Sequence, residues 1–473
     1  MKQCKFVTMV QFDTSETICA LSTPPGTGAI AVIRLSGPMS FNVCSDIFVP
    51  ASRGLDIRTA TTHTLHFGTI HQNNEVLDEV LLSIFRAPHS YTGEDVIEIS
   101  CHGSAYVQQK LLELLLNKGA RLAKPGEFTL RAFLNGKFDL SQAEAVADLI
   151  ASHSGSSHAL ALGQMRGGFS RKIRELRDKL IGFTALIELE LDFSEEHVEF
   201  ADRRDLLSLL TEIHAELSQL INSFTLGKVI KTGIPVAIIG KPNVGKSTLL
   251  NAILNEEKAI VSDIPGTTRD AIEDTIVIGG YSFRFIDTAG LRAAEDKIEF
   301  IGIERTWEKI QEAAVVLYVF DATQQSFEDV REAIADIREL TDDKSKKLIL
   351  VGNKTDKLKK LPKGFREFVE FETIFVSGKR KENIHLLAES LLKTVAAAEI
   401  NDKTIVSNTR HYESLRNALS AVNEVATGLK AGIFSDLLTT DIRIALHHLG
   451  EITGEITNEE ILGTIFSKFC IGK

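Results

Sequence analysis

The sequence GKPNVGKS at residues 240–247 constrains the fold of this chain more than any other stretch. It fits the pattern G-x-x-x-x-G-K-[ST], with an apolar run at 235–239 before it and a helix-forming run at 248–254 after it. A strand, a glycine-bounded loop and a helix in this order form a loop whose backbone N–H groups bind phosphate. The sequence therefore predicts a nucleotide-binding α/β domain built around this loop.

Each residue type in the loop has a chemical role. Glycines let backbone N–H groups face an anion. Lys246 would reach the β- and γ-phosphates, and the Ser247 hydroxyl would bind Mg²⁺. We expect the nucleotide contacts of the loop from Asn243, Val244, Gly245, Lys246, Ser247 and Thr248.

A second motif, DTAG at residues 287–290, follows a predicted β-hairpin at 272–286. The acidic residue would hold the Mg²⁺ shell, and Gly290 would bring a backbone N–H to the γ-phosphate. Between the two motifs, the sequence GTTRD at 266–270 offers Thr268 as a Mg²⁺ ligand in a first switch segment. We expect nucleotide contacts here from Thr267, Thr268, Asp287, Thr288, Ala289 and Gly290.

Two further motifs identify the base. The sequence NKTD at 353–356 follows a buried strand at 348–352, and SGK at 377–379 follows a strand at 373–376. The carboxylate of Asp356 can accept hydrogen bonds from guanine N1–H and N2–H₂, a donor pair that adenine lacks. The predicted nucleotide is therefore GTP. We expect base contacts from Asn353, Lys354, Asp356, Ser377, Gly378 and Lys379.

The segment after DTAG departs from a Ras-like site. Leu291 stands where a water-orienting Gln is expected. Nothing in the sequence announces an arginine finger either. Other groups must therefore stabilise the transition-state charge and orient the attacking water during hydrolysis.

The 473 residues imply about three domains. Residues 15–135 mix α and β patterns, with strands predicted at 29–35 and 96–100, a hairpin at 66–85 and a helix at 107–117. Two glycine segments in this part stand out, and local chemistry favours ordinary turns for both. Their sequences are YTGED at 91–95 and PGEF at 125–128.

Helical periodicity begins near residue 140 and returns at 400–460, on either side of the nucleotide domain. Ser141 and Glu144 predict a capping box at the first of these helices. The fold class predicted is α/β plus all-α: a P-loop GTPase (Ras-like) domain inserted in a helical domain, with a mixed α/β N-terminal domain. The expected boundaries are 1–137, 138–230, 231–397 and 398–473.

Composition excludes several classes of protein. Five cysteines without C-x-x-C spacing argue against a disulfide framework, so a cytoplasmic location is expected. No apolar run predicts a membrane span, and residues 1–13 lack the features of a secretory signal. A formal charge of −11 disfavours nucleic-acid binding over the whole surface but allows a local basic patch.

Together these motifs resemble those of the bacterial tRNA modification GTPases called MnmE or TrmE. The resemblance extends from about Thr17 to the C-terminus, and the end sequence FCIGK is highly specific. The residues that carry it are 24–26, 91–96, 125–128, 131–135, 266–270, 287–292, 301–305 and 469–473.

The resemblance implies a homodimer whose N-terminal domain dimerises and binds a folate. The family works with the flavoprotein MnmG, in a heterotetramer or larger complex, to add a carboxymethylaminomethyl group to C5 of the wobble uridine of certain tRNAs. The folate, 5,10-methylenetetrahydrofolate with 5-formyltetrahydrofolate as an analogue, supplies the one-carbon unit. The resemblance further implies that binding of GTP, Mg²⁺ and K⁺ brings the G domains together and activates hydrolysis.

The resemblance also addresses the missing arginine finger. Asn243 resembles the family's potassium ligand, and the carbonyls of Ser262 and Ile264, with Thr267, would complete the site. A monovalent cation beside the phosphates can stabilise transition-state charge as an arginine would. Glu299 resembles the family's catalytic water-positioning carboxylate, although residue chemistry alone favours a solvated charge there.

For folate, the resemblance implies binding by Arg34, Glu98, Lys137 and Lys473. Cations suit the glutamate tail, and a carboxylate suits the N–H edge of the pterin. Cys470 is then a thiol near the folate and a candidate catalytic residue; a small packed residue is an equal alternative.

A different class of function shares the G domain. A regulatory GTP switch, such as a ribosome-assembly GTPase, can carry the same phosphate-loop Asn and the same GTTRD segment. The N-terminal folate positions and the CIGK end separate the two classes.

Overall fold

The computed structural model describes residues 15–73, 75–192, 203–256, 274–286, 310–340, 346–360, 371–396, 404–431 and 435–472. The chain divides into two compact units. The first unit comprises residues 1–147, 162–218 and 413–473, and the second comprises 148–161 and 219–412.

The described strands are β1 (Ile18–Leu21), β2 (Ile30–Ser36), β3 (Phe48–Pro50), β4 (Thr64–Gln72), β5 (Glu75–Phe85), β6 (Val96–His102), β7 (Arg121–Leu122), β8 (Ile234–Ile239), β9 (Asp274–Ile278), β10 (Tyr281–Phe285), β11 (Val315–Asp321), β12 (Lys347–Asn353) and β13 (Glu372–Phe375). The described helices are α1 (Ser40–Ser45), α2 (Ala105–Asn117), α3 (Glu127–Leu134), α4 (Leu140–Ile150), α5 (Gly155–Met165), α6 (Gly168–Asp192), α7 (Arg203–Thr232), α8 (Lys246–Glu256), α9 (Phe327–Leu340), α10 (Ile384–Ala396), α11 (Thr409–Ala431), α12 (Ser435–Thr453) and α13 (Glu459–Phe466).

The first unit contains a seven-stranded sheet in the order β3-β4-β5-β6-β2-β1-β7. Its neighbours are antiparallel except β1 and β7, which are parallel. Alternate residues such as Ile33, Ile99 and Leu82 are fully buried in a core that includes Leu111 and Leu115 of α2. The strands, hairpin and helix predicted for this part of the chain are therefore confirmed.

The residues between those core positions lie on the opposite face of the sheet. Arg34 of β2 and Glu98 of β6 are register partners on that face, and both are only partly buried. One face of the sheet therefore packs against the core, and the opposite face bears this pair of charged residues.

The predicted capping box at α4 is wrong, because the actual one lies two residues earlier in the chain. Asp139 caps the helix, because its Oδ1 accepts from the backbone N–H of Gln142 at 3.0 Å. Gln142 Oε1 accepts from Asp139 N at 3.0 Å in return. Ser141 lies inside the helix and donates to Asp139 Oδ1 at 2.9 Å. Asp139 caps the helix in place of Ser141 because its carboxylate accepts from both the Gln142 N–H and the Ser141 hydroxyl.

The second unit contains a six-stranded sheet in the order β13-β12-β11-β8-β10-β9. Its pairs are parallel, except for the antiparallel hairpin of β9 and β10. Parallel strands deliver their carboxyl ends to one edge, so the segments after β8, β12 and β13 meet there. The strands predicted around the nucleotide motifs are confirmed.

The C-terminal segment of the first unit packs against its N-terminal part. Gly126 has φ +67°, and a Cβ there would lie 2.6 Å from the carbonyl oxygen of Phe466. Its N–H donates to the carbonyl of Cys470 at 3.4 Å. The turn before α3 therefore forms part of the surface on which residues 466–470 lie.

Among the described residues, no helix combines the length and the apolar character needed to cross a bilayer.

Candidate functional site

Residues 240–247, here called the phosphate loop, join the buried strand β8 to α8. Gly240 has φ +148°, and a Cβ there would lie 2.1 Å from the carbonyl oxygen of Val319 in β11. Gly245 has φ +94°, and a Cβ there would meet Asn353 Nδ2 at 2.4 Å. Both glycines are therefore required by close approach as well as by backbone conformation.

Asn353 joins the phosphate loop to the segment after β13. Its side chain is buried, and Nδ2 donates to the carbonyl of Val244 at 2.9 Å. Its Oδ1 accepts from the backbone N–H of Gly378 at 3.0 Å. One amide thus fixes the distance between the predicted phosphate and base contacts.

Lys354 supports the same loop from the next position, with a left-handed φ of +68°. Its Nζ donates to the carbonyl of Asn243 at 2.6 Å and to Asp321 Oδ2 at 2.8 Å. Burial would raise the pKa of the Asp321 carboxyl, but hydrogen bonds from Lys354 and Thr323 lower it below its usual value. The carboxylate stays ionised and holds the lysine in place.

At the other end of the phosphate loop, Lys246 Nζ donates to the carbonyls of Gly240 at 2.7 Å and Lys241 at 2.9 Å. The ammonium therefore lies over the loop from which it is predicted to contact phosphate. Ser247 and Thr248 follow in the first turn of α8, where backbone N–H groups are available to an anion.

The predicted base contacts lie together. Asp356 Oδ1 accepts from the Ser377 hydroxyl at 2.8 Å, and Ser377 Oγ accepts from Arg380 N at 3.1 Å. Gly378 is so close to α8 that a Cβ would lie 3.2 Å from Leu249 N. Lys379 is exposed beside them. The carboxylate is thus oriented by a hydroxyl that is itself fixed.

Several predicted contacts lie outside the described residues and stay predictions. They are Ser262, Ile264, Thr267, Thr268, Asp287, Thr288, Ala289, Gly290, Glu299 and Lys473.

On the first unit, Arg34 and Glu98 form an ion pair on the charged face of the sheet. Arg34 Nε donates to Glu98 Oε1 at 2.8 Å, and the side chains are 18% and 25% exposed. The guanidinium lies 5.1 Å from the Tyr91 ring centroid and 5.6 Å from that of Phe128. Two aromatic faces thus frame one cation and its carboxylate.

Sequence reasoning missed what holds those aromatic residues. The Arg131 side chain is 1% exposed and donates to Glu94 Oε2 at 3.1 Å and to Glu127 Oε1 at 3.1 Å. Glu94 belongs to the Tyr91 segment, and Glu127 precedes Phe128. The two glycine segments are therefore more than ordinary turns, because each supplies a carboxylate to one buried guanidinium. An acidic residue in each motif was the only local signal.

Glu127 also accepts from Arg121 Nη2 at 2.7 Å and from the backbone N–H of Lys124 at 2.8 Å. Burial would raise its pKa, but these bonds and the nearby charge of Arg131 lower the pKa of the carboxyl below its usual value. The Glu127 carboxyl is consequently ionised near neutral pH.

The remaining predicted folate-side residues lie at the edges of this region. Lys137 Nζ donates to the carbonyl of Pro88 at 3.1 Å. Cys470 is exposed, so the alternative of a small packed residue is wrong. Gly472 has φ +98°, and a Cβ there would lie 2.2 Å from the carbonyl oxygen of Leu21. The C-terminal segment is therefore seated against β1.

Comparison with known proteins gives consistent matches to one family. The family model "MnmE helical domain" matches residues 140–470, and "GTP-binding protein TrmE N-terminus" matches residues 17–137. Relatives named tRNA modification GTPase MnmE come from Flavobacterium psychrophilum (53% identical), Cytophaga hutchinsonii (54%) and Bacteroides fragilis (52%). Each alignment covers 97% of this chain, and they cover 99%, 98% and 99% of the respective relatives.

Proposed function

Because this chain belongs to the MnmE family of tRNA modification GTPases, we propose that it couples GTP hydrolysis in the second unit to tRNA chemistry supported by the first. It is a GTP-hydrolysing enzyme of tRNA modification. A ribosome-assembly switch is set aside, because the family match extends over the N-terminal and helical parts as well as the motifs that such switches share.

The observation that carries the GTP assignment is the double role of Asn353. It hydrogen-bonds to the phosphate loop at Val244 and to the base segment at Gly378. This bond pair supports a nucleotide bound across the edge of the sheet, with guanine at Asp356 and phosphates at Gly245, Lys246 and Ser247.

We propose that Ser247 and Thr268 hold Mg²⁺, with Asp287 in its outer shell. Hard oxygen donors of this kind suit Mg²⁺ bound beside phosphates. The contacts of Thr248, Thr288, Ala289 and Gly290 would complete the phosphate site.

For K⁺, the fit rests on Asn243. This residue is exposed, has φ +61°, and its carbonyl is held by Lys354, so its neutral carboxamide is presented from a fixed backbone. Neutral oxygen donors suit a monovalent cation. We propose that Ser262, Ile264 and Thr267 supply the other ligands, and that Glu299 positions the attacking water.

The first unit is proposed to bind the folate that supplies a one-carbon unit. Glu98 offers a carboxylate for a pterin N–H edge, and Tyr91 and Phe128 offer aromatic faces beside it. Because Arg34 is ion-paired with Glu98, both residues would meet the same end of the ligand. Lys137 and Lys473 are then the proposed partners of its glutamate tail, and Cys470 is the thiol nearest the C-terminus.

We also propose a homodimer formed through β3, β4 and β5. Phe67 and Leu81 are cross-strand partners, and they are 51% and 41% exposed. Leu65, at 60% exposure, extends the same face. Exposed apolar side chains grouped on one sheet face favour burial against a second copy. The proposed external partners are tRNA and the flavoprotein MnmG, and the proposed location is the cytoplasm.

The proposed product is a carboxymethylaminomethyl group at C5 of the wobble uridine. Nucleoside analysis of tRNA from cells that lack this chain tests the proposal. We expect the modified uridine to disappear, to return with the wild-type chain, and to stay absent with Lys246→Ala. An unchanged nucleoside profile in the deleted cells would refute the function.

A further inference from the structure

The hairpin of β9 and β10 lies between the two segments that carry the proposed switch ligands. Residues 257–273, with Thr267 and Thr268, precede β9, and Asp287 follows β10 after one residue. β10 also pairs with β8, the strand that enters the phosphate loop. Both segments are therefore joined through the chain to the ends of this hairpin.

The opposite end of the hairpin is the turn Gly279-Gly280, with φ values of +56° and +84°. The carbonyl of Gly280 accepts a hydrogen bond from the backbone N–H of Ser156 at 3.0 Å. Ser156 lies in the first turn of α5, where a helix leaves its N–H groups without internal partners. The hairpin thus supplies an acceptor to a donor that the helix itself cannot satisfy.

The start of α5 is otherwise fixed by its own serines. Ser154 Oγ accepts from the backbone N–H of Ser157 at 3.2 Å, and the Ser157 hydroxyl donates to the carbonyl of Ser154 at 3.0 Å. These hydrogen bonds make the first turn of α5 rigid. A displacement of Ser156 is therefore expected to move the whole helix.

The turn also has room to move. A cavity of about 340 Å³ lies beside it, lined by Ile253 of α8, Ile278, Gly279, and Ile384 and Leu392 of α10, among other residues. A Cβ at Gly279 would lie 2.6 Å from Leu392 Cδ2, so the turn already touches α10 on one side. Empty space next to a contact lets the turn shift without forcing the packed core apart.

We propose that the hydrogen bond from Ser156 to Gly280 positions α5 according to the nucleotide state and so couples GTP hydrolysis to tRNA modification. The inference rests on the proposed function. The chain of α5 continues into the first unit, whose residues begin again at 162. In this proposal, movement of the hairpin is transmitted through the hydrogen bond of the Ser156 N–H to α5. Ser156 is therefore a positioning residue.

The first experiment isolates this N–H by comparing two variants of Ser156. Ser156→Pro deletes the donor at a first-turn position where a helix tolerates proline, and Ser156→Ala deletes only the hydroxyl. We expect GTP turnover of both purified variants to match wild type. In cells that carry only Ser156→Pro, the modified uridine formed should fall roughly tenfold, as expected for a lost hydrogen bond. Ser156→Ala should leave it unchanged.

Full modification with Ser156→Pro would overturn the inference, and so would an equal loss with Ser156→Ala. Neither outcome touches the proposed function, which instead fails if deletion of the whole chain leaves the tRNA unaltered.

The second experiment needs no variant. Amide hydrogen exchange of residues 155–158 is compared in the wild-type chain with GDP and with a non-hydrolysable GTP analogue. We expect the exchange rate at Ser156 to differ roughly tenfold between the two states, while the first turn of α9 stays the same. Equal rates at Ser156 in both states would overturn the proposal.

Discussion

Asn353 and Gly245 approach each other so closely that the side-chain amide occupies the space of a missing Cβ. A Cβ at position 245 would lie 2.4 Å from Asn353 Nδ2. The same amide nitrogen donates to the carbonyl of Val244 at 2.9 Å. A residue usually assigned to the base motif is therefore also a structural part of the phosphate loop.

Asn353→Ala should weaken GTP binding although the residue need not touch phosphate. The change removes the bonds to Val244 and Gly378 and leaves those backbone groups without their partner. The loss should be ~1–3 kcal/mol, or roughly 10- to 100-fold in affinity. Titration with a fluorescent GTP analogue measures it. Asn383→Gly is the control, because it removes an amide bond to the carbonyl of Phe375 and adopts the left-handed φ of +62° at this position without strain. Equal effects of the two changes would contradict the bridging role.

Asp356→Asn should destroy the preference for guanine. The carboxylate accepts from two guanine donors, and an amide replaces one of those acceptors with a donor. The cost for GTP should be ~1.5–3 kcal/mol. Xanthosine triphosphate presents a carbonyl at the C2 position, so the variant should bind it better than wild type does. Unchanged GTP affinity, or no gain for the xanthine nucleotide, would argue against this placement of the base.

Hydrolysis should require K⁺ and fail in Na⁺, because Leu291 cannot orient water and no arginine finger is evident in the sequence. Asn243→Ala should abolish the stimulation by K⁺, with a loss on the order of 10²–10³-fold in rate, while Gly245, Lys246 and Ser247 still bind nucleotide. Steady-state turnover in matched KCl and NaCl buffers is the measurement.

The left-handed φ of +61° at Asn243 dictates the control. Asn243→Gly also removes the carboxamide but adopts this conformation without strain. Both variants should lose the K⁺ effect. Retention of the effect by the glycine variant would assign the alanine result to backbone strain, and equal wild-type rates in the two salts would end the cation hypothesis.

Phe67→Lys should separate the proposed dimer in the absence of nucleotide. A charge in the centre of an apolar interface opposes its burial. Sedimentation velocity of the full chain at micromolar concentration should show a dimer for wild type and a monomer for the variant. Ile444→Lys, at a position 44% exposed on α12, is the matched control and should remain a dimer. A dimeric Phe67→Lys would move the interface elsewhere.

The cluster around Arg131 should make the first unit sensitive to acid. The folded-state pKa of Glu127 lies below its unfolded value, so its contribution to stability is present above about pH 4.3 and is lost as the pH falls through the folded pKa. Glu127→Gln should lower the free energy of unfolding at pH 7 by ~1.5–3 kcal/mol. Its stability should then fall less steeply than that of wild type as acid is added.

Urea unfolding at pH 7 and at pH 4 measures both effects. Glu113→Gln is the control, because Glu113 pairs with Lys110 on the exposed surface of α2. A similar loss in the two variants would mean that burial with Arg131 adds nothing.

The elements around the nucleotide were predictable because their signals are local. The apolar run that forms β8, the loop glycines and the Gly279-Gly280 turn each reflect short-range chemistry. The placement of Asp356 beside Ser377 followed because both motifs end parallel strands.

The contacts that the sequence did not predict join residues far apart along the chain. Arg131 and Glu94 are far apart in sequence, and no local pattern marks them as a pair. The capping box failed for a different reason, since Asp139 and Ser141 both qualify as caps and only their backbone geometry selects one. The order of strands in the first sheet, with β7 beside β1, likewise comes from tertiary packing.

Cys470 contacts Gly126, and Gly472 packs against Leu21. These contacts can form only late in synthesis of the chain. The ribosome makes β1 and the turn before α3 early, and makes residues 466–472 only after the whole second unit. The surface around Leu21 and Gly126 therefore stays uncovered while the nucleotide domain is translated and folds. A chain released before residues 466–472 are made would carry an intact phosphate loop but would lack the segment that packs on Gly126 and Leu21, beside the proposed folate site.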